Sequence, residues 1–188
     1  MTEDVTQTAN GDGNTQIVIK EFHANIANIS SILAAAIPKV AVMVQNQPDG
    51  ENDTIAYEIE DKINYNKISS FKEILNEYAQ YGTKIDEIYE EYDNQHPGFK
   101  KMVFKYFGTK YLLIKESLVS LSGGKLPLDV VTANADKIMR DVFEGLKSEL
   151  KASKNLAINM EEIDTCALAL TCHAFIQCKI LEKPKRDN

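Results

Sequence analysis

Apolar residues recur every three or four positions along most of this chain, the spacing that lays one apolar stripe along an α-helix. Phe22, Ile26, Ile29, Leu33, Ile37 and Val40 form the first stripe. Pro38 is expected to kink or end that helix near Ile37, since it lacks an amide hydrogen and its ring clashes with the preceding turn. Asn46 to Thr54 reads as a loop, and Tyr57 to Asn66 as a mixed extended or short helical entry. Phe71, Ile74, Leu75, Tyr78, Gly82, Ile85, Ile88, Tyr89 and Tyr92 then hold one face of a helix of about six turns. A Ser70/Glu73 capping box should start it, and Asn94-Gln95-His96-Pro97-Gly98 should end it.

Phe99, Met102, Val103, Tyr106, Phe107, Leu113, Ile114, Leu118 and Leu121 mark the next helix, stopped by Ser122-Gly123-Gly124. Leu126 to Val131 is a short connection, and a long helix follows from about Ala133 to Lys151. Asn159 and Glu162 make a second capping box, and behind it Ile163 to Leu181 is apolar around most of its circumference. Such a helix belongs in the middle of a fold. It is expected to run until Glu182-Lys183-Pro184. The opening, Met1 to Phe22, alternates Val, Thr, Gln and Ile around Asn10-Gly11-Asp12-Gly13-Asn14, which suits a short β-hairpin or, alternatively, a loose tail. An isolated hairpin is marginal in water, so Gln7, Asn10, Asn14, Gln16, Ile17 and Ile19 are the candidate surface for pairing with another copy. The expected fold is mainly α: a head of residues 1–56 with the hairpin or extended segment, a helix and a linker, then a body of 57–188 forming a bundle of four to five helices.

The composition, 44% hydrophobic and 26% charged over 188 residues, is that of a globular domain that needs neither disulfide nor metal for stability. No apolar run is long enough to span a membrane, and the acidic start lacks the layout of a signal peptide. Three cysteines on one apolar helix suit a reducing compartment, so a cytoplasmic location is expected. The net charge of −7 disfavours non-specific attraction to nucleic acid or an anionic membrane.

Four groups of residues could carry chemistry. Cys166, Cys172 and Cys178 would point about 120° apart around a helix, so they cannot surround one metal ion with His173; they read as small apolar core residues. A cysteine nucleophile at Cys172 or Cys178 would need a distant base such as His23 or His96. Ser122-Gly123-Gly124-Lys125 has Leu118 where a phosphate-binding loop requires glycine and Leu126 where it requires Ser or Thr. Glu77, Asp86, Glu87, Glu90 and Glu91 follow the polar side of an amphipathic pattern and read as a solvated or partner-facing surface. Lys100, Lys101 and Lys105 begin a basic helix that would serve nucleic-acid binding in the alternative reading, although an acidic helix beside it suits charge complementation better. No catalytic residues, metal or cofactor are expected.

Four segments resemble the small C-terminal domain found on effectors of bacterial ABC-three-component conflict systems. They are Tyr57 to Asn66, Asp86-Glu87-Ile88-Tyr89 with Asn94 to Gly98, Tyr111-Leu112, and Ala174 to Pro184. The Gln- and Asn-Gly-rich opening also looks like a segment seen ahead of such domains. The resemblance implies a non-enzymatic module that couples an effector to a Rad50-like ABC ATPase and a small middle component in antiviral or anti-plasmid defence. Other protein subunits, in a homo-oligomer or hetero-complex, are the expected partners. A toxic enzyme domain usually precedes the module, and none is recognised here.

Overall fold

The computed structural model describes residues 33, 36–46, 53–122, 127–153 and 158–184. The described residues form eight helices and no strand. They are α1 (36–45), α2 (Asp53–Asn66), α3 (Lys72–Ala79), α4 (Gly82–Gln95), α5 (Phe99–Ser122), α6 (Leu128–Ala133), α7 (Ala135–Ala152) and α8 (Met160–Ile176). The helical class is as expected, with more and shorter helices than four or five. The hairpin, together with Gln7, Asn10, Asn14, Gln16, Ile17 and Ile19, lies outside the described residues.

Helix α8 is the hub. It packs against α3, α4, α5 and α7, and Ile163, Cys166, Ala167, Ala169, Leu170, Cys172, Ala174 and Phe175 are all buried. A helix surrounded on several sides must be apolar on several sides, which is the pattern of its sequence. Its start is the Asn159/Glu162 capping box: Glu162 N–H donates to Asn159 Oδ1 and Asn159 N–H to Glu162 Oε2, both at 2.8 Å. Leu33, Ile37 and Val40 join the same core as Ile163 and Phe175, across the division drawn after residue 56. Pro38 does not end α1, which continues through residue 45; the proline is exposed, so its ring displaces nothing in the core.

Three boundaries differ from the expected ones. The segment Tyr57–Asn66 is wholly helical, as part of α2. The long helix over 71–92 is broken at Gln80 and Tyr81, so that α3 packs against α2 and α8 while α4 packs against α5 and α8. Tyr81 and Ile85 remain buried across the break. The connection before α7 contains α6, which buries Val131 and Thr132. At the α4–α5 turn Gly98 has φ +91°, a left-handed conformation that suits glycine, and Asp93 Oδ1 accepts from Lys100 N–H at 3.0 Å.

The start of α3 is also not the expected capping box. Phe71 occupies the cap position and makes no side-chain cap bond. Asp136, from the first turn of α7, supplies the acceptor: its carboxylate receives Ser69 N–H at 3.1 Å, Ser70 N–H at 3.0 Å, Phe71 N–H at 3.1 Å and the Ser69 hydroxyl at 2.7 Å. One carboxylate thus serves the positive ends of two helices. Burial pushes the Asp136 carboxyl up, but the bonds from Ser69, Ser70 and Phe71 outweigh it and hold the group below its ordinary range. Replacing Asp136 with Ala should cost about 1–2 kcal/mol, the range of a lost cap, whereas Ser70→Ala should stay within about 0.5 kcal/mol. Urea denaturation of both variants checks this. The Asp136 contribution should be present at neutral pH and fade as pH falls through its lowered pKa, because the unfolded carboxylate takes up its proton first.

Candidate functional site

The polar chemistry of the molecule concentrates where α8 ends. Ile176 is its last residue, five positions before the expected end. Cys178 then takes φ +54°, Lys179 N–H donates to Ala174 O at 2.9 Å and Cys178 N–H to Phe175 O at 3.0 Å. This pair of bonds is the Schellman closure, with cysteine in the left-handed position that glycine usually fills. Leu181 also has a positive φ, +62°. The chain therefore hooks back on itself over 177–182. The end of α2 closes in the same way, with Lys67 at φ +55° and Ile68 N–H donating to Ile63 O at 3.0 Å.

Two side chains of α2 hold the hook. Lys62 is 3% exposed; its ammonium donates to Phe175 O and, at 3.3 Å, to Ile180 O, and stands 4.2 Å from the centre of the Phe175 ring. Burial lowers its pKa from the ordinary lysine value to about 8. Asn66, fully buried, donates from Nδ2 to Glu182 O at 2.8 Å and to Lys62 O at 2.9 Å, and accepts Glu182 N–H at 2.9 Å. The Glu182 carboxylate then reaches α5, receiving the Tyr111 hydroxyl at 2.6 Å and the Lys115 ammonium at 2.5 Å.

On the other side of α8, Asp86 of α4 accepts from Gln177 Nε2 at 2.8 Å and pairs with Lys100 of α5 at 2.8 Å. His173 Nε2 lies 3.5 Å from the same carboxylate. The His173 ring is buried between Tyr89, centre to centre 5.2 Å, and Phe104, at 6.1 Å. Burial raises the Tyr89 hydroxyl, which has no hydrogen-bond partner among the described residues.

The candidate acidic surface is therefore divided. Asp86 is spent inside the fold, Glu90 is exposed 3.6 Å from Lys100, and exposed Glu91 pairs with Lys39. Glu77 and Glu87 are exposed on α3 and α4. The lysine helix is divided too. Lys100 pairs with Asp86, Lys110 with Glu149 at 2.6 Å and Lys115 with Glu182, while Lys101 and Lys105 are exposed. The nucleic-acid reading thus keeps two of its three lysines at the surface. Leu113, expected on the apolar face of α5, is 46% exposed instead.

Cys166 and Cys172 are buried, and burial pushes the Cys166 thiol up to about 12 and the Cys172 thiol up as well. Cys178 stands exposed in the hook, so the three thiols do not meet, and among the described residues no group of three His, Cys, Asp or Glu side chains could hold a metal ion. His96 is exposed at the end of α4, and His23 lies outside the described residues. A cavity of about 350 Å³ opens between α1 and α8, lined by Ala41, Val44, Gln45, Asn159, Glu161, Glu162 and Thr165. Two of its polar groups are already joined, Gln45 Nε2 donating to Glu162 Oε1 at 2.7 Å.

These observations describe a mainly helical domain whose distinguishing feature is a hooked C-terminal segment locked by side chains from α2, α4 and α5. A family model, CTD10, the C-terminal domain 10 of the ABC-three component (ABC-3C) systems, matches residues 36–182. The chain belongs to this family. No curated protein and no solved structure matches it. The matched span ends at Glu182, the last residue tied into the hook. The four segments on which the resemblance rests are the ones that meet there: α2 supplies Lys62 and Asn66, α4 Asp86, α5 Tyr111, and the last segment is the hook itself.

Sequence reading missed Lys62 and Asn66. The signal was available: with Ile59 and Ile63 they fall at i, i+3, i+4 and i+7, one face of a helix, so two polar residues sit on an apolar stripe.

Lys62→Met should destabilise the fold by about 1–3 kcal/mol, because it takes the buried ammonium away from the Phe175 carbonyl and removes the donor to the Ile180 carbonyl. The gap between wild type and Lys62→Met should widen as pH rises from about 8 toward 10. Over that window the unfolded lysine still carries a proton that the folded one releases, while the neutral amine still donates to the carbonyls. Urea melts across that window read the difference. A thiol reagent should label Cys178 alone in the native protein, and all three cysteines after denaturation, as read by intact mass.

Proposed function

We propose that this chain is a non-enzymatic interaction and assembly subunit of an ABC-three-component defence system, working in the cytoplasm and coupling to an ABC-type ATPase and a small partner. Membership of the family over 36–182 carries this reading. The local chemistry supports it, since Asp86, His173, Lys62 and Lys100 are engaged in joining helices rather than converging on an open cleft. No helix among the described residues is long and apolar enough to cross a membrane.

The face offered to other subunits is the exposed acidic side of α3 and α4, centred on Glu77, Glu87, Glu90 and Glu91. Exposed charges of one sign steer encounter and set specificity more than they add affinity. The amino-terminal residues Gln7 to Ile19 remain the proposed site of pairing between copies. Co-expression with the ATPase and small component of the same operon should recover a complex. Reversing Glu77, Glu87 and Glu90 together to Lys should cut its recovery at least about tenfold without changing the melting temperature. Failure to recover either component with the wild-type chain would count against the proposal.

A further inference from the structure

The hook places a thiol beside a primary amine. Lys62 is buried under it, whereas Cys178 stands exposed at its bend. Both reach the same carbonyl: Phe175 O accepts from the Lys62 ammonium and, at 3.0 Å, from Cys178 N–H. Burial lowers the Lys62 pKa to about 8, and the charge and hydrogen bonding of the Cys178 side chain oppose that fall, so the two side chains are in contact. Near neutral pH the amine is therefore without its third proton part of the time, and so carries a free lone pair. The sulfur is open to a small oxidant in solution, while the nitrogen is shielded from solvent and faces the sulfur.

A cysteine oxidised to the sulfenic acid usually condenses with a second thiol or with a backbone nitrogen. Within the chain those routes are closed. Cys166 and Cys172 are buried in α8, and the next backbone nitrogen, Lys179 N–H, is bonded to Ala174 O at 2.9 Å. The Lys179 ammonium is held elsewhere, 4.5 Å from the centre of the Phe104 ring. We infer that Lys62 and Cys178 are a redox-responsive crosslinking site, joined by a sulfur–nitrogen bond when hydrogen peroxide reaches the hook. The Cys178 sulfur attacks one peroxide oxygen, the O–O bond breaks, and the other oxygen leaves as water with the thiol proton, giving the sulfenic acid. The Lys62 lone pair then attacks that sulfur, the S–O bond breaks, and hydroxide leaves with a proton from nitrogen as a second water. Thiol, amine and peroxide become a sulfenamide and water; the sulfur is oxidised and the peroxide reduced. A dithiol reverses the bond by attacking the sulfur, which frees the amine and then, as the dithiol closes to its own disulfide, the Cys178 thiol. The bridge joins α2 to the hook covalently at the point where hydrogen bonds otherwise hold it.

Intact mass of the purified full-length chain, treated with hydrogen peroxide at about pH 8, tests this without any operon partner. The expected main product is a monomer about 2 Da lighter than the untreated chain, restored to its starting mass by dithiothreitol. Proteolysis should yield a linked pair of peptides holding Lys62 and Cys178. Cys178→Ser, a change at an exposed position, should abolish the mass loss. Lys62→Arg keeps a charged donor beside the carbonyls but offers no neutral amine, so it should gain oxygen at Cys178 and lose no mass. If Lys62→Arg does not fold, the wild-type peptide map and Cys178→Ser decide the outcome. Any one of four results would overturn the inference: a wild-type chain that only gains oxygen or does not change; a disulfide-linked dimer as the main product; a link that maps to Lys179 or Lys183 instead; or a link that forms as fully in urea as in the folded chain.

Discussion

The ammonium of Lys62 lies between the Phe175 carbonyl in the last turn of α8 and the Ile180 carbonyl of the hook. A charge at 3% exposure is costly to desolvate, and its lowered pKa reflects that cost. Three favourable contributions offset it: two carbonyl acceptors, the negative end of the α8 dipole, and the face of Phe175. With the lysine in place, Cys178 and Leu181 can be held at positive φ, a conformation that costs non-glycine residues about 1–2 kcal/mol each. The hook then presents Glu182 to Asn66 on one side and to Tyr111 and Lys115 on the other. Helices α2, α5 and α8 are thereby tied at a single point.

Much of the helical layout was legible in residue spacing. The stripes of α5 and α7 and the Asn159/Glu162 box of α8 are local patterns, and they appear where local rules place them. The misreadings share a cause: the deciding partner is remote in sequence. The amides before α3 are capped by Asp136, 65 residues beyond Phe71, so a serine and glutamate at capping-box spacing were misleading. Helix α8 stops at Ile176 because Lys62 stabilises a left-handed cysteine, with no glycine to announce the turn. Asp86 looked like one more surface acid, yet it sits beside His173 and Gln177 in the packed structure. Leu113 fitted an apolar count without belonging to the apolar arc, which only the rotation of α5 reveals.

Polar and charged side chains in this domain chiefly determine shape. Salt bridges at exposed positions, such as Lys137 with Asp141, contribute little. The buried or half-buried groups at the hook join elements that the hydrophobic core alone would leave free to slide, a role for which polar networks suit better than apolar packing. Glu77, Glu87, Glu90 and Glu91 on α3 and α4 stay exposed outside that network. The lock holds α4 and α5 in fixed relation, because both are bonded to the segment that α2 clamps.

Native-state hydrogen exchange on Asn66→Ala tests the lock most directly, because Asn66 holds Glu182 through backbone-directed bonds and touches no surface residue assigned to a partner. The amides of Lys179 and Glu182 should lose protection by at least about tenfold, while those in the middle of α7 keep theirs, since locally opened segments exchange apart from the core. Unchanged protection at Lys179 and Glu182, or an equal loss across α7, would contradict the claim that the hook is a discrete lock set by α2.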